Sequence, residues 1–306
     1  METRHVNETT MTVKGIQASS RLDSFISCLT LENFRNPKPK VVVLRLNGVI
    51  GKVGPGKGGM TLEGMNDSIE SAFNKSNIEA VCLAINSPGG SPVQSELIAS
   101  RITSLAKEKS IPVYAFVEDV AASGGYWLAC AADEIYASKS SIIGSIGVIS
   151  AGFGFVDAIK KIGIERRVYA QGTNKSVLDP FVPEKKEDIV ILKKLQKHAH
   201  EHFIDYVKSR RKGRLTQNDD ILFNGEFWSG TIAEDFGLID GIDNMHHFIK
   251  KKFGDRVAID YIKPKESWFK KKFMSHMGAE INPESIVNAI YNKMQDEQIV
   301  SKFRIY

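Results

Sequence analysis

The sequence predicts an α/β protein with a largely parallel sheet, and three observations predict it. Short apolar, β-rich runs recur at Val41–Leu46, Ala80–Ile85, Pro112–Val117 and Glu134–Ala137. Between them lie stripes at helical spacing, first Leu62, Met65, Ile69, Ala72 and Phe73, then Val93, Leu97, Ile98, Ile102 and Leu105. Buried strands alternating with helices of this length imply crossover connections and therefore parallel pairing. The third observation is that two runs end in small-residue turns, Asn86-Ser87-Pro88-Gly89-Gly90 and Ala121-Ala122-Ser123-Gly124-Gly125. In open α/β sheets ligands bind beyond the carboxyl ends of strands, where both turns fall.

Residues 1–40 precede this body. They are polar and Thr/Ser-rich to about residue 20 and are expected to be disordered. Leu22, Phe25, Ile26 and Leu29 then have helical spacing, and Asn36-Pro37-Lys38-Pro39-Lys40 is a linker. The folded body is expected to span 41–262. Gly51–Gly59 is rich in Gly and Lys but lacks the G-K-[ST] ending of a phosphate loop, so it reads as a mobile loop. Ser140–Gly154 is rich in Gly, Ser and Ile and suits a groove lining. Arg167-Val168-Tyr169-Ala170 is expected to be a strand. A long helix is expected from about Glu184 to Arg211, with Ile189, Leu192, Leu195, Ala199, Phe203, Tyr206 and Val207 as its apolar side. Residues 263–306 form a basic extension that closes in a short helix started by Asn282-Pro283-Glu284 and carrying Ile286, Ala289, Ile290 and Met294.

The 306 residues carry a net charge of +5, and 42% are hydrophobic, which is ordinary for a globular chain. The charge is concentrated. Lys250–Lys272 holds nine Lys/Arg against Asp255, Asp260 and Glu266, so the body is near neutral. That weighs against a nucleic-acid partner, which favours an extended basic face. It leaves room for a peripheral membrane contact through 250–273, where Trp268, Phe269 and Phe273 flank lysines. Neither a transmembrane run nor a signal peptide is recognisable, so a cytoplasmic protein, or one peripheral to a bacterial inner membrane, is expected. Cys28, Cys82 and Cys130 lack metal spacing; the latter two fall in apolar runs and read as reduced core residues. His198 and His202 stand one helical turn apart without a His-Glu-x-x-His pattern, so a solvated helix face is expected and no metal. No cofactor is expected.

The chemistry centres on Ser123. A serine at a strand-to-helix junction can expose its hydroxyl, and a helix start leaves N–H groups free to bind an anion. Acyl transfer needs both. Taken alone, the stretch fits close packing equally well.

Five segments occurring in order over roughly 41–245 carry a resemblance. They are Asn86–Gly90, Ala122–Tyr126, Gly144-Ser145-Ile146-Gly147-Val148, Lys175-Ser176 with Asp179-Pro180-Phe181, and Trp228-Ser229-Gly230 through Ala233 to Gly237-Leu238-Ile239-Asp240. Together they closely resemble the signal peptide peptidase A family (the SppA/SohB serine peptidases), related in fold to the Clp protease subunit and the crotonases. The resemblance implies a Clp protease/crotonase-like fold with repeated β-β-α units, and makes 41–262 a peptidase domain. It implies a Ser–Lys dyad of Ser123 and Lys175, an oxyanion hole from the N–H groups of Gly90 and Gly124 (Gly89 less so), and Ser145 as the residue that orients the lysine amine.

A lysine acts as a base only if desolvation or neighbours lower its pKa from ~10.4 toward neutrality, so Lys175 is expected to be buried in a groove. The implied function is a serine endopeptidase acting on hydrophobic or unfolded peptides, such as signal-peptide remnants or misfolded membrane proteins, in a homo-oligomeric ring. The dyad can close within one chain or across a subunit boundary. Two alternatives remain open. A crotonase-type enzyme acting on acyl thioesters would use the same oxyanion hole but neither Ser123 nor Lys175. A non-catalytic scaffold would bind peptides or membranes.

Overall fold

The computed structural model describes residues 38–52 and 59–262. The helices expected at 22–29 and 282–294, most of the Gly51–Gly59 loop, Cys28 and the aromatic-basic segment after residue 262 lie outside the described residues. The strands are β1 (Lys40–Asn47), β2 (Ile78–Ser87), β3 (Val113–Ala122), β4 (Glu134–Ala137), β5 (Ile142–Gly144), β6 (Phe227–Ser229), β7 (Gly241–Ile242) and β8 (Ala258–Tyr261). The helices are α1 (Leu62–Phe73), α2 (Pro92–Lys109), α3 (Gly124–Ala129), α4 (Val156–Lys161), α5 (Lys186–Arg210), α6 (Asp219–Leu222), α7 (Gly230–Asp235) and α8 (Met245–Phe253).

The sheet runs β6-β5-β3-β2-β1-β8, and every pairing along it is parallel except β5 with β6. β3 forks. Tyr114–Val117 pair with β4, while Val120–Ala122 pair with β5, and the turn between exposes Glu118 and Asp119. The chain order β1-α1-β2-α2-β3-α3-β4-β5 gives the expected α/β fold with a largely parallel sheet. The repeated β-β-α units are not seen among the described residues, because a helix follows each of the first three strands and crosses over to the next parallel one.

β1 and β2 are apolar without alternation because both of their faces are covered. Val42, Leu44, Leu46, Val81, Leu83 and Ile85 join one core with Ile69 of α1, Ile98 and Ile102 of α2, and Leu128 of α3. Their neighbours Val41, Val43, Ala80, Cys82 and Ala84 join a second core with Tyr114, Phe116 and the α8 residues Phe248 and Ile249. The side-chain period of two assigns successive residues to opposite faces. Helix starts follow their sequence signals. Thr61 Oγ1 accepts the Gly64 N–H at 3.1 Å to cap α1, and Ser91 caps α2 ahead of Pro92.

Cys82 and Cys130 are buried free thiols, as expected. Burial pushes Cys130 up to about 11 and Cys82 up to about 12, from an ordinary 9.0. The sign follows directly. The folded state holds protons that the unfolded chain releases above 9.0, so this stability is complete below that pH and declines as pH rises through about 11. The urea midpoint should therefore fall between about pH 8 and about pH 11, and fall less in Cys130→Ala. Equal slopes in the two proteins would contradict this.

Three expectations are corrected. Arg167–Ala170 is not a strand; Tyr169 is 93% exposed, and no described strand pairs with the segment. β-branched and aromatic residues favour a pleated surface only where a ladder partner exists. In α2, Val93 is 60% exposed, and the buried stripe is Ser95, Ile98, Ala99, Ile102 and Leu105. In α5, periodicity marked one continuous apolar side, yet the buried residues are Asp188, Phe203 and Val207, and Leu195 is 51% exposed. The carboxyl half of α5 packs on the body. In the amino half only Asp188 is buried, against the Leu178 loop, while Val190, Ile191 and Leu195 are exposed.

Candidate active site

β3 delivers Ser123 to the start of α3 in a constrained conformation, φ +52° and ψ −124°. A non-glycine residue with positive φ is uncommon and clusters at functional sites. The surroundings hold it there. Ser123 N–H donates to Gly144 O at 2.8 Å, and Ser123 O accepts the N–H groups of Tyr126 and Trp127 at 2.9 and 3.1 Å. Its hydroxyl makes no cap hydrogen bond, so it is not consumed by the helix it begins. This strained strand-to-helix turn presents a nucleophile in the way an elbow does in serine hydrolases.

Gly90 and Gly124 complete the turn pair. A Cβ on Gly90 would lie 2.1 Å from Ile50 O, at a φ of +144°. A Cβ on Gly124 would lie 2.3 Å from Ser95 Oγ and 3.4 Å from Gly90 N. Close packing and chemistry are therefore not rivals here, since the packing that demands glycine is what brings the two N–H groups together. Neither N–H donates to a described residue. The Gly89 N–H, by contrast, donates to Ser87 Oγ at 3.2 Å. Two open donors beside a serine hydroxyl can stabilise an oxyanion.

A narrow cleft opens here between Gly90, Pro92, Ser123, Gly124, Trp127, Gly147 and Val148, with Ala199 and Phe203 of α5 as its far wall. Sequence reading placed Ala199 and Phe203 on the apolar side of the long helix and missed that, with Trp127, they wall the site; periodicity cannot separate a core face from a cleft face. Among the described residues the lining contains no titratable side chain. These residues offer a serine hydroxyl, two backbone donors and apolar walls.

Lys175 lies in the turn that follows Gly172, its N–H bonded to Gly172 O at 3.1 Å, and its side chain is exposed and does not line the cleft. The burial expected of it is absent in the single chain. Its loop is nonetheless well tied. Asp179 is buried and accepts from Arg166 at 3.2 Å and from the Phe181 N–H at 3.1 Å, while Asp188 of α5 accepts the Leu178 N–H at 3.0 Å. The Asp179-Pro180-Phe181 segment therefore anchors the lysine loop. Ser145 also has positive φ (+52°); its N–H donates to Glu226 O at 2.6 Å and its carbonyl accepts from Gly147.

The histidines of α5 serve contacts. His200 Nε2 meets Ile146 O at 3.0 Å, and His202 pairs with Glu96 at 3.3 Å while packing on Trp127. Among the described residues no cluster of His, Cys, Asp or Glu could hold a metal ion.

A strained serine at a strand end, two backbone donors unengaged among the described residues and an apolar cleft form a candidate active site on an α/β sheet. Residues 105–255 match the model described as Peptidase family S49. It is 32% identical over 249 residues to Protease 4 of Haemophilus influenzae, covering 78% of this chain and 39% of that one. It is 49% identical over 252 residues to a Brucella abortus protein named Na(+)/H(+) antiporter NhaA, covering 82% of this chain and 34% of that one. The chain thus spans little more than a third of these relatives. A variant of the 1510-N membrane-bound stomatin-specific protease has a TM-score of 0.45 at 19% identity, covering 74% of this chain and 99% of that one.

Proposed function

We propose that this chain is a serine endopeptidase that cleaves apolar or unfolded peptides through an acyl-enzyme at Ser123. The observation that carries the reading is the strained Ser123 beside the unengaged N–H groups of Gly90 and Gly124. Ser123 Oγ attacks the scissile carbonyl, and the two N–H groups take the charge that develops on its oxygen. Trp127, Val148, Ala199 and Phe203 favour apolar substrate side chains.

The base is Lys175, assembled by a second copy of the chain. Among the described residues, the cleft lining holds no base of its own. The missing wall has a source. Ile149, Phe153, Ile162, Ile164 and Tyr169, together with Val190 and Leu195 of α5, are exposed in two stretches that flank Lys175 in sequence. Apolar surface on this scale marks an association face, and a neighbouring subunit that covers it would desolvate the amine. In such a homo-oligomer the role of orienting that amine is assigned to Ser145 by the family resemblance. No described helix is long and apolar enough to cross a membrane; a peripheral contact through 250–273 stays part of the proposal. The antiporter name of the Brucella relative goes with a protein of which this chain covers a third, and transport is not carried over.

The experiment is covalent labelling of the full chain with a fluorophosphonate. Label should map to Ser123 and vanish in Ser123→Ala. Folded protein that takes no label would replace the peptidase reading with the crotonase-type or scaffold alternative.

A further inference from the structure

The motif Gly237-Leu238-Ile239-Asp240 and the arginines that end α5 have no part in the chemistry above, yet they converge on the back of the nucleophile helix. Tyr126, two residues into α3, is fully buried, and its hydroxyl donates to Leu238 O at 2.7 Å. Arg211 donates to Gly237 O and to Asp240. Arg210 faces the other way. Its Nε donates to Cys130 O at 2.7 Å, and its Nη2 to Ala131 O and Ala132 O at 3.2 and 3.1 Å.

Ala199, Phe203, Tyr206 and Arg210 follow the i, i+4, i+7, i+11 spacing of one helix face. The top of that face walls the cleft, its middle stacks on Trp127, and its end grips the carbonyls just past α3. Trp127 lies 4.8 Å from both Phe203 and Tyr206, at interplanar angles of 23° and 15°. The stack carries ring packing but no hydrogen bond between the two helices among the described residues. The two polar atoms within that stack, Trp127 Nε1 and the Tyr206 hydroxyl, are buried without a partner. Among the described residues, the hydrogen bonds from α5 to the segment Ser123–Ala132 are those of Arg210 alone.

We infer that Arg210 is a positioning residue for the nucleophile: its fork on carbonyls 130–132 fixes the register of α3 against α5, and with it the spacing of Ser123 and Gly124 from the Phe203 wall. The inference rests on Ser123 being the nucleophile. A displacement of about 1 Å at a reacting centre is enough to cost up to ~10²-fold in rate. A guanidinium holds its donors in a rigid plane, whereas an ammonium is a compact point charge on a flexible stem whose donors rotate. The side chain is about a third exposed, so water can reach the carbonyls when it is removed.

The test uses full-length Arg210→Met and Arg210→Lys proteins and a fluorophosphonate probe, measuring both the rate constant for labelling Ser123 and the stoichiometry at saturation. The rate constant is expected to fall about tenfold in Arg210→Met and by less in Arg210→Lys, at unchanged stoichiometry. A merely structural role gives the opposite pattern, with stoichiometry reduced and the rate constant of the surviving fraction unchanged, and overturns the inference. Should Arg210→Met fail to fold, Arg210→Lys decides by the same criterion. If the natural protein labels at Ser123 and both variants match its rate, this inference alone falls. If the natural protein does not label, the serine peptidase reading falls and takes this inference with it.

Discussion

Mixed assemblies of Ser123→Ala and Lys175→Ala subunits are expected to hydrolyse peptides that neither variant cleaves alone. Each single change removes one member of a unit that works together, so each should lower kcat by ~10³-fold or more. Lys175→Arg should fail as fully, because a guanidinium remains protonated and cannot take the serine proton. Complementation follows from the geometry. Among the described residues the cleft lining at Ser123 holds no base, and Lys175 in its own chain is exposed, outside that lining. If the amine enters from a neighbour, random mixing pairs an intact serine with an intact lysine at about a quarter of the junctions of a closed homo-oligomer. Activity of that order, in assemblies shown by mass to contain both variants, is the expected result. Mixed assemblies without activity would confine the dyad to one chain, and full activity of the natural protein as a monomer would remove the need for a neighbour.

The sequence made the strand ends legible because two separate signals agree there. Apolar runs place β2 and β3, and small-residue turns at Gly89-Gly90 and Ser123-Gly124 mark the edge where chemistry can occur. The strain at Ser123 was not legible, since a φ of +52° on serine is imposed by the Gly144 carbonyl on a different strand. Periodicity failed differently in α5. It found a single apolar side over the whole helix, but Phe203 and Val207 pack on the body while Leu195 stays exposed. Spacing reports which residues share a face and is silent on what covers it. The strand expected at Arg167–Ala170 failed for the same reason, as propensity was present and a pairing partner was not. Arg210 and Arg211 gave no signal because charged residues at a helix end are commonly solvated.

Arg211→Met is expected to cost about 3–5 kcal/mol of folding stability, as does removing one member of other buried ion pairs. Arg211 is 1% exposed, and its Nη1 lies 2.6 Å from Asp240 Oδ2. Methionine fills much of the same volume but leaves the Asp240 carboxylate short of its closest partner in a site of low polarity. Two contacts soften that loss without cancelling it: Asp240 also accepts the Ile135 N–H at 2.7 Å and lies 3.3 Å from Arg214 Nε. Because the first of these fastens β4, replacing both members of the pair should not restore full stability, although such double replacements are neutral in many proteins. Urea unfolding of the natural protein, Arg211→Met and Arg211→Met with Asp240→Leu provides the measurement. The expected order of midpoints is natural protein, double variant, single variant. A single variant within about 1 kcal/mol of the natural protein would show that water reaches Asp240 and that the pair is held together more loosely than its burial implies.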